Sequence, residues 1–166
     1  LHIGYPNLGI LVEQQYVNFS IFFEEGKSII TPSRYVSLII KFEGEHMLVL
    51  DLDLFLKDNF SCIEDGSNKL LLILETKKLN ERNKILISKI KKKGSTLLGN
   101  KYIAFKTGIN STVLQLYPDE LKLFTGSIQK AMLEKGIMGC RFNDNTIDYL
   151  LDLDNLFYTM FKDRTK

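Results

Sequence analysis

The sequence predicts a mainly β protein: two small, mutually similar β-barrels packed on a shared core, with short helices. Three observations predict it. The string Leu50-Asp51-Leu52-Asp53 recurs 101 residues on as Leu151-Asp152-Leu153-Asp154. Each copy follows an apolar run, a turn signal and a second apolar run, and self-similarity at a fixed offset marks a duplicated unit. The apolar runs are short, closely spaced and rich in Ile, Leu and Val, which favours small barrels over βαβ units.

Taken in order, Leu1 to Ile3, the turn signal Tyr5-Pro6-Asn7, and Leu8 to Val12 read as strand, turn, strand. Tyr16 to Phe22 alternates over part of its length and reads as another strand. Glu24 to Lys27 is a polar turn and Thr31-Pro32-Ser33 a breaker. Tyr35 to Phe42, a tip at Glu43-Gly44-Glu45 and His46 to Leu50 form a hairpin, and Leu54 to Lys57 suits one helical turn capped by Asp53. The polar stretch from Asp58 to Asn68 separates two halves, residues 1–66 and 67–166.

In the second half, Leu70 to Leu74 reads as a buried strand. The lysine-rich segment after it suits a helix or a hairpin arm equally, and residues 76–98 read as an insertion. Tyr102 to Phe105 is a strand. Pro118-Asp119-Glu120 suits a helix start, and Ser127 suits the cap of a short helix with Ile128, Ala131 and Met132 on one face and Gly136 at its end. The last hairpin has its turn at Asp144-Asn145, and Leu156-Phe157-Tyr158 follows the second LDLD as Leu54-Phe55-Leu56 follows the first. Phe42 matches Phe142 only with a slip of one residue. The opening hairpin is echoed by Gly99-Asn100-Lys101 before Tyr102 to Phe105.

With 166 residues, 45% hydrophobic and 25% charged, the chain suits a folded globular protein. Charge is uneven. Residues 77–93 hold eight basic residues and one acid, Glu81, while the remainder has 14 basic and 19 acidic. A global nucleic-acid footprint is absent. Two cysteines, Cys62 and Cys140, make neither a disulfide framework nor a metal site and point to a reducing, cytoplasmic setting. No apolar run approaches the roughly 18 residues of a membrane span. No secretory signal is read, and a short stretch including Met is expected upstream of Leu1.

Candidate chemistry is sparse. Asp51 with Asp53, and Asp152 with Asp154, form carboxylate pairs, but no histidine or third acid accompanies them, so caps of following turns are the expected role. His2 and His46 are the only histidines, and neither sits in a nucleophile arrangement. The glycines at 94 and 99 lack P-loop spacing. The expectation is a protein that is not an enzyme and takes no cofactor and no metal.

The arrangement resembles the CheW family of chemotaxis coupling proteins. Gly9-Ile10-Leu11-Val12 matches that family's early Gly-Ile-Pro-Val strand except at the proline. Leu38 to Gly44 and Leu50-Asp51-Leu52 stand where the family has Gly-Val-Ile-Asn-Leu-Arg-Gly and Ile-Asp-Leu. Gly139 to Asn145 and Leu150 to Asp154 fall in step with its closing motifs. The resemblance implies two five-stranded SH3-like barrels around a shared core. It also implies binding to the regulatory domain of the CheA histidine kinase and to chemoreceptor cytoplasmic tips. It departs where the family's Arg is Glu43, its Asn is Lys41 and its leading Gly is Leu38. A reversed charge at a contact rejects the usual partner.

The expected protein-binding residues are therefore Ile39, Phe42, Glu43 and Gly44, with Glu43→Arg altering binding but not thermal stability. The rival reading is a nucleic-acid-binding β-barrel using residues 84–93, although no aromatic side chain interleaves with its lysines.

Overall fold

The computed structural model describes residues 2–5, 8–13, 17, 19–23, 27–28, 34–60, 69–94, 98–107, 111–112, 115–143 and 146–162. The turns expected at Pro6-Asn7, Glu24 to Gly26, Thr31 to Ser33 and Asp144-Asn145, the boundary at 66/67, and Cys62 lie outside them.

The strands are β1 (His2–Tyr5), β2 (Leu8–Leu11), β3 (Phe19–Phe23), β4 (Lys27–Ser28), β5 (Val36–Phe42), β6 (Glu45–Asp51), β7 (Lys69–Glu75), β8 (Leu98–Thr107), β9 (Ser111–Thr112), β10 (Lys122–Leu123), β11 (Ile137–Asn143) and β12 (Thr146–Leu151). The helices are α1 (Leu52–Phe60), α2 (Glu81–Gly94), α3 (Gly126–Leu133) and α4 (Leu153–Lys162). The strands form two six-stranded sheets, in the orders β9-β1-β2-β12-β11-β10 and β3-β7-β8-β6-β5-β4. Among the described residues, no ladder closes either sheet into a barrel.

Read from those ends, the two sheets share one pattern. The third and fourth strands run parallel, β2 with β12 and β8 with β6. Every other neighbouring pair is antiparallel. The repeat is also kept residue by residue. Val36 pairs Leu50 and Phe42 pairs Glu45, while Ile137 pairs Leu151 and Asn143 pairs Thr146. Both hairpins shift register at the same place, between Val36 and Leu38 and between Ile137 and Gly139. The 101-residue offset therefore holds along these two hairpins, and no slip is needed there. Phe42 corresponds to Asn143, and Phe142 to Lys41.

Each sheet takes strands from both sides of residue 66. The opening hairpin β1-β2 joins β9 to β12, whereas β3 to β8 make the other sheet. Each parallel ladder thus links segments far apart in sequence. In the two sheet orders β2 and β8 hold corresponding places: Ile10 pairs Tyr149, and Ile103 pairs Leu48.

One core joins both sheets and the helices. It takes Ile10, Ile137 and Leu151 from one sheet, with Val12 just past the end of β2, and Leu48, Leu50, Leu72, Ile103 and Phe105 from the other. Alternate residues of the second sheet, among them Met47, Val49, Leu71, Ile73 and Ala104, fill a smaller cluster on its opposite face. This two-sided burial explains why Leu70 to Leu74 reads as an unbroken apolar run. Helix α4 was not expected, although its signal is present. Leu153, Leu156, Phe157, Met160 and Phe161 recur at helical spacing and are all buried.

Local chemistry sets the helix starts. Asp51, not Asp53, caps α1: its Oδ1 accepts the Leu54 N–H at 3.0 Å. Asp152 does the same for α4, accepting the Asn155 N–H at 3.0 Å. The lysine-rich segment is helical, and the Asn80 side chain accepts the Asn83 N–H at its start. Pro118–Glu120 forms only a 3-10 turn. Helix α3 begins after Thr125, not Ser127, and its Ile128 and Ala131 face outward instead of packing. No helix among the described residues is long and apolar enough to cross a membrane.

Candidate protein-binding surface

Glu43 and Gly44 form the two-residue tip of the β5–β6 hairpin, with φ of 47° and 83°. Positive φ at both positions suits the right-handed twist of the flanking strands, and glycine supplies it without strain at the second. Glu43 adopts it against its own preference and is held by its side chain. Its Oε2 accepts hydrogen bonds from the Tyr102 hydroxyl at 2.8 Å and from Lys101 Nζ at 3.1 Å.

These contacts shift both charges. The Tyr102 hydrogen bond, then Lys101, lower the Glu43 pKa below the ordinary carboxylate value. Hydrogen bonds involving Tyr102 and then Glu43 raise that of Lys101. Tyr102 also meets Phe42 edge-on, with ring centroids 5.2 Å apart, and lies under Lys101 at 4.6 Å. The tip is thus braced against β8 by one aromatic and one lysine. A partner approaching it meets a Lys–Glu pair and not an isolated carboxylate.

The structure does not bring the four expected residues onto one surface. Glu43 and Gly44 are exposed at the tip. Phe42 is half-buried against the smaller cluster that contains Tyr102. Ile39 packs against the shared core on the other face of β5. Glu43→Arg would set a second cation beside Lys101 and break the brace, so an effect on stability is expected as well as on binding.

Three of the four paired aspartates have structural partners, and the fourth, Asp53, is buried in α1. Asp51 and Asp152 cap helices, and Asp51 also pairs with Lys106. Asp154 clamps α2: its Oδ1 accepts from the Asn80 N–H and the Asn83 side chain, both at 2.9 Å. Beside it Arg82 donates to Asn155 and stacks 3.9 Å over Tyr158. Among the described residues, no three His, Cys, Asp or Glu side chains gather as metal ligands.

Sequence reasoning missed a second exposed region. Tyr117, Leu123, Ile128 and Phe142 are each more than 60% exposed, and all fall within 26 residues around β10, α3 and β11. Exposed large apolar side chains are normal one at a time, and four so near one another in sequence single out this stretch of the chain. The signal was the helical spacing of Ile128, Ala131 and Met132, which reads the same whether the face packs inward or meets a partner.

A last feature lies in the β11–β12 hairpin. Asp148 is almost wholly buried, and one of its oxygens accepts from Arg141 Nε at 2.9 Å and Nη2 at 2.5 Å. The matching pair in the first hairpin is Ile40 with Met47. One copy holds an ion pair where the other holds apolar side chains.

Among solved structures the chain is similar to the scaffolding protein TtCheW of Thermoanaerobacter tengcongensis. The TM-score is 0.61 and the identity 12%, over 94% of this chain and 84% of that one. No family model and no curated protein sequence matches. At that identity, what the two chains share is the fold.

Proposed function

We propose that the chain is a non-catalytic adaptor of the CheW type, coupling chemoreceptor tips to a CheA-type histidine kinase in the cytoplasm. The observation that carries this reading is the fold likeness to a scaffolding protein over nearly the whole chain. In this reading the matching sheets are two small barrels related by an approximate twofold. Each half of the chain, 1–66 and 67–166, supplies part of both. Two rigid units on one core offer two outer surfaces at fixed separation, which is what a bridging protein needs.

The β5–β6 tip supports the reading in a modified form. Its carboxylate replaces the arginine that the resemblance leads one to expect, but Lys101 and Tyr102 engage it. Repulsion of an acidic partner is thereby reduced, and contact through Phe42, Glu43 and Gly44 stays feasible. The apolar side chains around α3 offer a second contact area of the kind that dominates protein interfaces.

Isothermal titration of the chain with a CheA regulatory domain tests this directly. Micromolar association is expected. Absence of heat at concentrations well above that range, with the chain shown to be folded, contradicts it.

A further inference from the structure

Helix α2 is an addition to the repeated pattern. In the matching position, β1 ends at Tyr5 and β2 begins at Leu8, while β7 ends at Glu75 and β8 begins at Leu98. The added helix lies against α4. From Glu81 to Lys89 only Asn83 and Ile87 are buried, with Leu79 buried just before the helix. Helix α4 buries Leu153, Leu156, Phe157, Met160 and Phe161. Apolar burial is what holds a helix to its body, so α2 is the less firmly held of the two.

The joint between the two helices is polar and centres on Asp154. Its Oδ1 accepts from the Asn80 N–H and from Asn83 Nδ2, and its backbone carbonyl accepts from the same Nδ2 at 2.8 Å. Arg82 adds a 3.1 Å bond to Asn155 and lies over the Tyr158 ring. Both hydrogens of the Asn83 amide are thereby used, while its Oδ1 is buried without a partner among the described residues. A buried acceptor left unpaired destabilises the closed joint, and it regains hydration when the joint opens.

We infer that α2 is a movable cover: it opens from α4 by local unfolding while both sheets stay folded. The side of α4 that bears Asn155 and Tyr158 is then presented in full only in the open form. Opening breaks no strand pairing, because the β7–β8 ladder ends at Glu75 and Tyr102, outside α2. The matching place beside α1 has no room for such a helix, since only Pro6 and Asn7 separate β1 from β2. Accordingly Lys57 of α1 is exposed where α4 has the half-buried Tyr158. One of the two matching helices thus shows this position permanently, and the other shows it on opening. The inference stands apart from the adaptor reading, since it concerns the chain without any partner.

The test is native-state hydrogen exchange of the full chain, read by mass spectrometry in urea below the unfolding transition. Amides of α2 should exchange at least roughly a hundredfold faster than those of β6 and β8, with a weaker urea dependence, because local opening exposes little surface. Asp154→Ala removes the latch and should speed the α2 amides roughly tenfold. Val49→Ala thins the smaller cluster, which contains no residue of α2. It destabilises the covered and open forms alike, so it should speed exchange in β6 and β8 roughly tenfold and leave α2 unchanged. Equal rates and equal urea dependence for α2 and the strands overturn the inference, as does a Val49→Ala effect shared by α2. So does unchanged α2 exchange in folded Asp154→Ala. Exchange of wild-type α2 as fast as in an unfolded peptide also overturns it, since there is then no closed form.

Discussion

The Tyr102 hydroxyl donates a 2.8 Å hydrogen bond to the Glu43 carboxylate, tying a hairpin tip to a strand from another part of the chain. The residue that the sequence singles out as a reversed charge is therefore a structural tether as well as a candidate contact. Tyr102→Phe should leave the fold intact and speed amide hydrogen exchange at Glu43 and Gly44. Glu43→Arg should lower the melting temperature in addition to changing partner affinity. An unchanged melting temperature would show the tether to be idle.

The same tether gives a pH dependence of definite sign. The Glu43 pKa is lowered in the folded state from the ordinary value of 4.5. Its stabilising contribution is therefore fully present above that value and disappears as pH falls through the lowered folded value. Amide shifts of Lys101 and Tyr102 should titrate with a midpoint below 4.5, and Glu43→Gln should abolish that transition.

The buried pair Arg141–Asp148 is open to a swap experiment. Arg141→Ala leaves Asp148 buried without its partner and should cost about 3–5 kcal/mol in urea unfolding. The double variant Arg141→Ile with Asp148→Met installs the residues found at the matching places in the first hairpin, Ile40 and Met47. It should recover most or all of that loss, because a well-packed apolar pair often equals a buried ion pair. Failure of the double variant to recover would mean that the two hairpins are packed differently around this point.

Asp51→Ala and Asp152→Ala each remove a helix cap and should each cost about 0.5–2 kcal/mol. The Asp51 change should be the larger, since that carboxylate also pairs with the largely buried Lys106. Equal losses would mean that the Lys106 contact is worth no more than the bond that Asp152 Oδ2 accepts from the Asn155 side chain.

Two glycines with positive φ separate strain from space. A Cβ at Gly136, φ +72°, would lie 2.6 Å from the Leu156 Cα and 2.7 Å from its Cβ. Gly136→Ala should cost about 1–3 kcal/mol from crowding in addition to the backbone penalty. Gly126, φ +62°, faces open space, and Gly126→Ala should cost only the left-handed penalty of about 1–2 kcal/mol. Thermal or urea unfolding of both variants checks the ranking.

What the sequence revealed follows from the range of the interactions involved. The hairpins were legible because apolar runs, turn residues and the LDLD strings are local. The aromatic coincidence of Phe42 and Phe142 misled: the ladders align Phe142 with Lys41, and a shared bulge keeps the offset constant. The exchange of the opening hairpin into the closing sheet was illegible, because strand choice is decided by distant partners such as Tyr149 for Ile10. The tether at Glu43 was hidden for the same reason, its partners lying 58 and 59 residues away. Helix α4 was legible in the helical spacing of Leu153, Leu156, Phe157, Met160 and Phe161, all buried.

The central claim is that one chain bridges two partners at once. Sedimentation velocity of the chain mixed with a CheA regulatory domain and a receptor-tip fragment tests it most directly. The expected result is a species heavier than either binary complex, absent when this chain is left out. Mutually exclusive binding of the two partners, or sedimentation of the folded chain by itself in the full mixture, would contradict it.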